Sequence, residues 1–193
     1  MTGRAGPGNG RATFRRMQDG TAQDYALVEA AEQEYERGLV DRVLDALRTL
    51  DGGVQGYAVS RYVHSLQSAT RALRDDRPTE YVVAALLHDL GDVLAPHAHG
   101  AYAAAVLRPY VSERTAWMVH QHPVFQSHYY APHLGAAGDE RERFRGHPWF
   151  DDVVEFCERY DENCFDPDYD TLPLGVFEPL VREVFARLPY SVG

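Results

Sequence analysis

The strongest constraint on this chain is an ordered series of histidines and aspartates, each in a segment whose pattern predicts a helix. The doublet His88-Asp89 ends an apolar run that begins at Tyr81. The other members of the series are His64, His99, His122 and Asp161. Inward-facing ligands on several helices can converge on one point in the core of a helical bundle. The series therefore predicts an all-α fold with a polar site in its core.

A metal site accounts for this series most simply. Neutral imidazoles and charged carboxylates are poor core residues unless a cation offsets their loss of hydration. Adjacent His88 and Asp89 can serve two neighbouring ions, and the two carboxylate oxygens of Asp89 make it the expected bridge. Imidazole and carboxylate donors suit iron, manganese, zinc or magnesium, and imidazole favours the first three. One histidine taken alone is more simply a hydrogen-bonded core residue, so the prediction depends on the ordered set.

Composition limits the class of protein. The 193 residues, 45% of them hydrophobic, suit one domain with a sizeable core. A net charge of −10 argues against a protein that wraps nucleic acid or coats an anionic membrane, so a small-molecule partner is expected. The chain has no apolar stretch of membrane-spanning length and no secretory signal, which predicts a cytoplasmic protein with reduced Cys157 and Cys164. Monomer and homodimer both remain open.

Turn and cap residues give a coarse organisation. Residues 1–20 are rich in Gly and Arg, which predicts a disordered tail before a single domain over residues 21–190. No segment alternates with period two for long, so the class is all-α. The expected helix boundaries and connections are a helix capped by Asp24, a C-cap at Gly91, a helix that ends at Pro123, a long connection over 129–145, and Asp161 on the final core helix.

The segments Leu86-Leu-His-Asp-Leu-Gly-Asp92, His64-Ser-Leu-Gln67 and Arg159-Tyr-Asp161 resemble the HD-domain superfamily. More narrowly, the chain is similar from about Phe14 to Ala186 to mixed-valence diiron oxygenases. These cleave the carbon–phosphorus bond of 1-hydroxy-alkylphosphonates and are distant relatives of myo-inositol oxygenase. The resemblance implies an Fe(II)/Fe(III) pair with O₂ as co-substrate and Asp89 as the bridge. The implied iron ligands are His64, His88, Asp89, His99, His122 and Asp161.

The resemblance also implies further roles. Tyr35 matches a tyrosine that occupies an iron site until substrate displaces it, although it fits equally well as an ordinary aromatic residue. Gln126 stands where phosphonate-binding members can carry lysine, and Asp92 stands where some members have a second histidine. Both can orient substrate, yet a solvated Gln and a helix-terminal Asp are equally ordinary.

Glu158 departs from the family pattern, because phosphonate-cleaving relatives can present arginine at this position. A carboxylate would repel a phosphonate dianion unless it pairs with Arg159 or Arg145. It can instead hold the cationic end of a zwitterionic substrate.

The expected function is thus an oxygenase that cleaves a bond next to a hydroxylated carbon, with the carbon–phosphorus bond as the first choice. One alternative is a metal-dependent phosphohydrolase acting on a nucleotide or another phosphate ester, because the same fold and doublet support hydrolysis. Another is a non-catalytic binding module, which a complete ligand set disfavours. Dependence on iron and O₂ distinguishes the oxygenase from the phosphohydrolase.

Overall fold

The computed structural model describes residues 10–190, and in that part of the chain it is all-α, as predicted, with no strand. The eight α-helices are α1 (Ala22–Arg37), α2 (Leu39–Arg48), α3 (Arg61–Arg74), α4 (Thr79–Leu87), α5 (His99–Leu107), α6 (Glu113–Tyr130), α7 (Phe150–Tyr160) and α8 (Leu174–Phe185). Short 3-10 helices cover Met17–Asp19, Thr49–Asp51, Ala131–Leu134 and Glu140–Phe144. The chain forms two compact units, Met1–Val43 and Leu44–Gly193. No helix among the described residues has the length and apolarity that crossing a bilayer requires.

In the first unit, the start of α1 differs in detail from the prediction. Thr21 is the N-cap, and Asp24 is the third helical residue, whose carboxylate closes a capping box by accepting the Thr21 N–H at 3.0 Å. The same carboxylate accepts the Thr13 N–H at 2.7 Å. Residues 10–20 of the predicted tail thus include a hydrogen bond to α1 and one 3-10 turn, whereas residues 1–9 lie outside the described part.

In the second unit, α4 is the most deeply buried helix. Every residue from Val82 to Leu87 is at most 1% exposed, because the run carries no polar side chain and any of its faces can be buried. Helices α3, α6 and α8 pack around it. The helix ends at Leu87, with His88 as the C-cap. Burial of α4 therefore places the His-Asp doublet directly in the core.

Gly91 was predicted as the C-cap of this helix, but the structure gives it another role. A Cβ at Gly91 would lie 2.7 Å from both Cα and the carbonyl oxygen of His99. Only glycine permits this close approach, which brings the turn after α4 against the start of α5. Asp89 and His99 are neighbours for that reason.

The predicted helix end at Pro123 is wrong, because α6 continues through it to Tyr130. Proline lacks the N–H that would bond to the carbonyl four residues earlier, which is Val119. The structure replaces that bond with the His122 side chain, whose Nδ1 lies 2.6 Å from the Val119 oxygen. The proline thus leaves free the acceptor that orients a predicted metal ligand.

The sequence predicted Asp161 on the final core helix. It lies at the C-cap of α7, and α7 is not the final core helix. Helix α8 follows it, with Phe177, Val181 and Val184 fully buried. Cys157 and Cys164 are both buried and unpaired.

The contact between α5 and α6 provides a test of the fold. A Cβ at Gly100 would lie 2.8 Å from Cγ of Pro123 and 3.0 Å from the His120 oxygen. Gly100→Ala should lower the free energy of unfolding by about 1–3 kcal/mol, because overpacking outweighs the gain in helix propensity. Urea denaturation measures the change. The matched control is Gly175→Ala in α8, where nothing lies within 4 Å of the added Cβ. It should leave stability unchanged or slightly higher, and an equal loss in both variants would contradict the packing argument.

Candidate metal centre

The six predicted ligands come together in the core of the second unit, with Asp89 between two groups. Asp89 Oδ2 lies 3.5 Å from Nε2 of both His64 and His88. Its other oxygen, Oδ1, lies 3.2 Å from Nε2 of His122 and 3.6 Å from Nε2 of His99. Each oxygen of this carboxylate therefore faces a different pair of imidazoles, which is the arrangement of a bridging ligand.

Asp161 completes the first group. Its Oδ1 lies 3.3 Å from Nε2 of His64 and 3.7 Å from Nε2 of His88. Ligand atoms of His64, His88 and Asp161 all lie within 4.8 Å of one another, and so do those of His88, Asp89 and His122. The described residues thus contain buried His/Asp groups that can hold metal ions.

The four imidazoles are oriented by their Nδ1 atoms. In His88, Nδ1 lies 2.8 Å from the carbonyl oxygen of Ala85, which has no partner inside the helix because α4 ends at Leu87. In His64, Nδ1 lies 3.0 Å from the Cys164 oxygen. Each ring donates its Nδ1–H to a carbonyl, which leaves the Nε2 lone pair as the inward-facing atom.

The rings of His99 and His122 are also oriented through their Nδ1 atoms. Nδ1 of His122 bonds to the Val119 oxygen, and Nδ1 of His99 lies 3.3 Å from both the Pro96 oxygen and Asp92 Oδ1. A carboxylate behind a ligating imidazole fixes its tautomer and increases its basicity. Asp92 thus acts on the site through His99.

The donor set fits a cation and is poorly satisfied without one. Nε2 of His64 lies 3.1 Å from Nε2 of His88, and Nε2 of His99 lies 3.2 Å from Nε2 of His122. Two lone pairs repel at such distances unless a proton or a metal lies near both. Asp161 is fully buried, and its Oδ2 has no hydrogen-bond partner among the described residues. A bound metal ion would resolve both features.

The pKa values of the cluster residues also indicate that the cluster needs positive charge. Burial lowers the pKa of His88, but the carboxylates of Asp89 and Asp161 outweigh it and raise this pKa to about 9. Burial keeps the pKa of His122 below its usual value. For Asp89, burial acts to raise the pKa, yet His88 and His122 hold it well below the ordinary range, and His64 and His88 do the same for Asp161. Both carboxylates are therefore ionised, and without a metal a proton on His88 supplies part of the positive charge that a bound cation would supply in its place.

A cavity of about 540 Å³ opens on one side of the cluster. Three predicted ligands line it, namely His64, Asp89 and His99. Its wall includes Phe165, which stacks on the His64 ring at 4.4 Å between centroids, and Tyr57, which stacks on Phe165 at 4.7 Å. A small molecule in this cavity would therefore reach the cluster past an aromatic wall.

The predicted substrate residues are placed differently from one another. Gln126 lines the cavity, and its Nε2–H donates to Asp161 Oδ1 at 2.6 Å. Asp92 also lines it, in contact with His99 and Arg61. Glu158 is exposed and is not among the residues of the cavity wall. Gln126 and Asp92 therefore contact residues of the cluster and line the cavity, whereas Glu158 is not part of the cavity wall.

Tyr35 belongs to the first unit. It is 63% exposed, and the guanidinium of Arg42 lies 3.8 Å from the centre of its ring. Its gating role stays a prediction.

Sequence reasoning missed several residues of the cavity wall, among them Arg61, Tyr57 and Phe165. A signal for Arg61 was present, since it stands three residues before His64 and so shares its face of a helix. Tyr57 and Phe165 lie outside the helices, where periodicity gives no information about side-chain direction.

The chain matches no known protein-family model, and no curated protein matches it significantly.

The ligand assignment is tested by removing one imidazole. His88→Ala should lose at least one metal equivalent per chain, because His88 faces both Asp89 and Asp161. Elemental analysis of the purified protein measures the change. His97→Ala is the matched control, since His97 is exposed and lies two residues before His99. Full metal content in His88→Ala would show that the cluster has been misassigned.

Metal removal should also lower thermal stability. A ligand that binds only the folded state stabilises it by about 4 kcal/mol at a concentration 1,000 times its Kd. For a unit of this size that corresponds to roughly 8–16 °C in Tm. Scanning calorimetry before and after chelation measures the shift. In His88→Ala the shift should be much smaller, and an unchanged Tm in the chelated wild type would argue against a metal in the core.

Proposed function

We propose that this chain is an HD-domain oxygenase that holds a mixed-valence iron pair and oxidatively cleaves a hydroxylated small molecule. The observation that carries the proposal is the position of Asp89, whose two oxygens face separate imidazole pairs at 3.2–3.6 Å. This geometry supports two neighbouring ions rather than one. Four imidazoles with two carboxylates favour iron, manganese or zinc over magnesium.

The two proposed metal positions differ in their protein ligands. The first would be held by His64, His88, Asp161 and Asp89 Oδ2, and the second by His99, His122 and Asp89 Oδ1. The second has fewer protein donors, and both His64 of the first position and His99 of the second line the cavity. The cavity would therefore give substrate and O₂ access to both positions. Bound iron would supply one-electron redox chemistry and free coordination positions, which zinc could supply only in part.

The chain's own residues would position the substrate. Gln126 lines the cavity beside Asp161, and its amide oxygen is available as an acceptor for a substrate hydroxyl. Asp92 would hold His99 in the tautomer that presents Nε2 to the second position. Tyr57 and Phe165 provide a wall that excludes water from one side of the substrate.

The best-fitting reaction is cleavage of a 1-hydroxy-alkylphosphonate to a carboxylate and phosphate. One O₂ balances this reaction: both of its oxygen atoms enter the products, and no external reductant is needed. The carboxylate of Glu158, which would oppose a phosphonate inside the cavity, is exposed and outside the cavity wall. Its position removes the electrostatic objection raised by the sequence.

The decisive experiment combines metal analysis with EPR of aerobically purified, partly reduced protein. We expect two irons per chain, a spin-coupled mixed-valence signal, and O₂ uptake with hydroxyphosphonates. Zinc or manganese without that signal, together with phosphate release from nucleotides in the absence of O₂, would instead establish a phosphohydrolase.

Asp89→Asn tests the bridge itself. It keeps the size of the side chain but replaces one anionic oxygen with an amide nitrogen, which cannot bridge two cations. The spin-coupled signal should therefore disappear even where one iron remains. The control is Asp170→Asn at a carboxylate that is 90% exposed, which should retain the signal in full. A coupled signal that survives in Asp89→Asn would overturn the assignment of Asp89.

A further inference from the structure

We propose that Arg61 forms an oxyanion-binding subsite in the cavity beside the metal cluster. It would take the phosphonate or carboxylate group of a substrate whose hydroxyl binds at the metals. The inference rests on the proposed function only for the position of that hydroxyl.

Helix geometry places Arg61 next to the cluster. It is the first residue of α3, and His64 lies almost one turn further along the same face. Both side chains line the cavity. The first turn of this 14-residue helix also carries the partial positive charge of a helix N-terminus, which favours a bound anion. The guanidinium thus places positive charge on the cavity wall, beside the first turn of α3.

The hydrogen bonds of Arg61 hold the guanidinium in place and leave one nitrogen available. Its Nε–H donates to Asp92 Oδ2 at 2.9 Å. Its Nη1 donates to the Val54 oxygen at 3.3 Å and to Gln55 Oε1 at 3.2 Å. Nη2 has no hydrogen-bond partner within residues 10–190. The side chain is 32% exposed, so a ligand can reach it.

The charge balance of the wall favours an anion at this position. Among the described residues that line the cavity, Arg61 is the only lysine or arginine. Its partner Asp92 is shared, because Asp92 Oδ1 lies 3.3 Å from Nδ1 of His99. Asp89 would be neutralised by the metals. Asp92 offsets the charge of Arg61, so the net positive charge for an anion would come from the metals, and the guanidinium would contribute its free Nη2 donors.

The chemical class of the ligand follows from guanidinium geometry. A planar guanidinium with free N–H groups binds carboxylate, phosphate and phosphonate oxygens more specifically than an ammonium does. Tyr57, whose ring lies 5.9 Å from the Arg61 guanidinium carbon, adds an aromatic surface for a short alkyl chain. The predicted substrate is therefore a short hydroxylated molecule with an oxyanion at one end.

The test uses methylphosphonate and acetate as separate probes, titrated calorimetrically into the full-length, metal-loaded protein. Arg61→Gln should weaken binding of the preferred oxyanion at least tenfold, and Arg61→Lys should restore part of it. Stronger binding of methylphosphonate would assign a phosphonate group, and stronger binding of acetate a carboxylate. The control is Arg114→Gln, an arginine that is 63% exposed and outside the cavity, which should bind like the wild type.

Metal content separates anion binding from a purely structural role. If Arg61 binds the anion directly, Arg61→Gln should weaken anion binding while the protein keeps its full metal content, because Asp92 still contacts Nδ1 of His99. If Arg61 serves only to hold Asp92 against His99, Arg61→Gln and Asp92→Asn should both lose metal and weaken binding together. That result, or unchanged binding in Arg61→Gln with full metal content, would overturn the proposal.

Failure of the Arg61 subsite can be distinguished from failure of the proposed function. Arg61-dependent anion binding by a protein loaded with zinc or manganese would keep the subsite while rejecting the iron oxygenase. If the enzyme holds two irons and its anion binding does not depend on Arg61, the oxygenase proposal is kept and the subsite is rejected.

Discussion

The arrangement on which the rest of the site depends is one carboxylate, Asp89, set between four imidazoles. Two ionised carboxylates and four ring nitrogens in a core are stable only if positive charge lies between them. The separations of 3.1 and 3.2 Å between facing Nε2 atoms show where that charge is needed. Metal binding and folding of the second unit are therefore expected to be coupled.

Irregular backbone supplies the orientation that this arrangement requires. The end of α4 leaves the Ala85 carbonyl free for His88, and Pro123 leaves the Val119 carbonyl free for His122. Gly91 allows the turn that carries Asp89 to approach His99. In an uninterrupted helix these carbonyls would be occupied by backbone N–H groups. Local departures from ideal helix geometry thus fix the tautomers of the ligands.

Residues of the cavity wall contact the candidate ligands and connect them to other residues of the wall. Asp92 lies between His99 and Arg61, so one carboxylate links the candidate metal cluster to the guanidinium of the cavity wall. Phe165 similarly links His64 to Tyr57 through stacked rings. A substrate bound at Arg61 or Tyr57 would consequently be separated from a candidate metal ligand by one residue, Asp92 or Phe165.

The sequence by itself determined the helical class and the six members of the cluster, because imidazoles and carboxylates in apolar helical segments are costly to bury unless they share a cation. It also located the start of α1 and the end of α7 closely. It mistook Pro123 for a helix end, since the replacement of a backbone bond by the His122 side chain is not visible in a local pattern. Only the tertiary structure decided that Asp89 faces two imidazole pairs, that Arg61 lines the cavity, and that Glu158 does not. These facts depend on how α3, α4, α5, α6 and α7 pack, and the fold joins residues as far apart in sequence as His64 and Cys164, which are 100 positions apart.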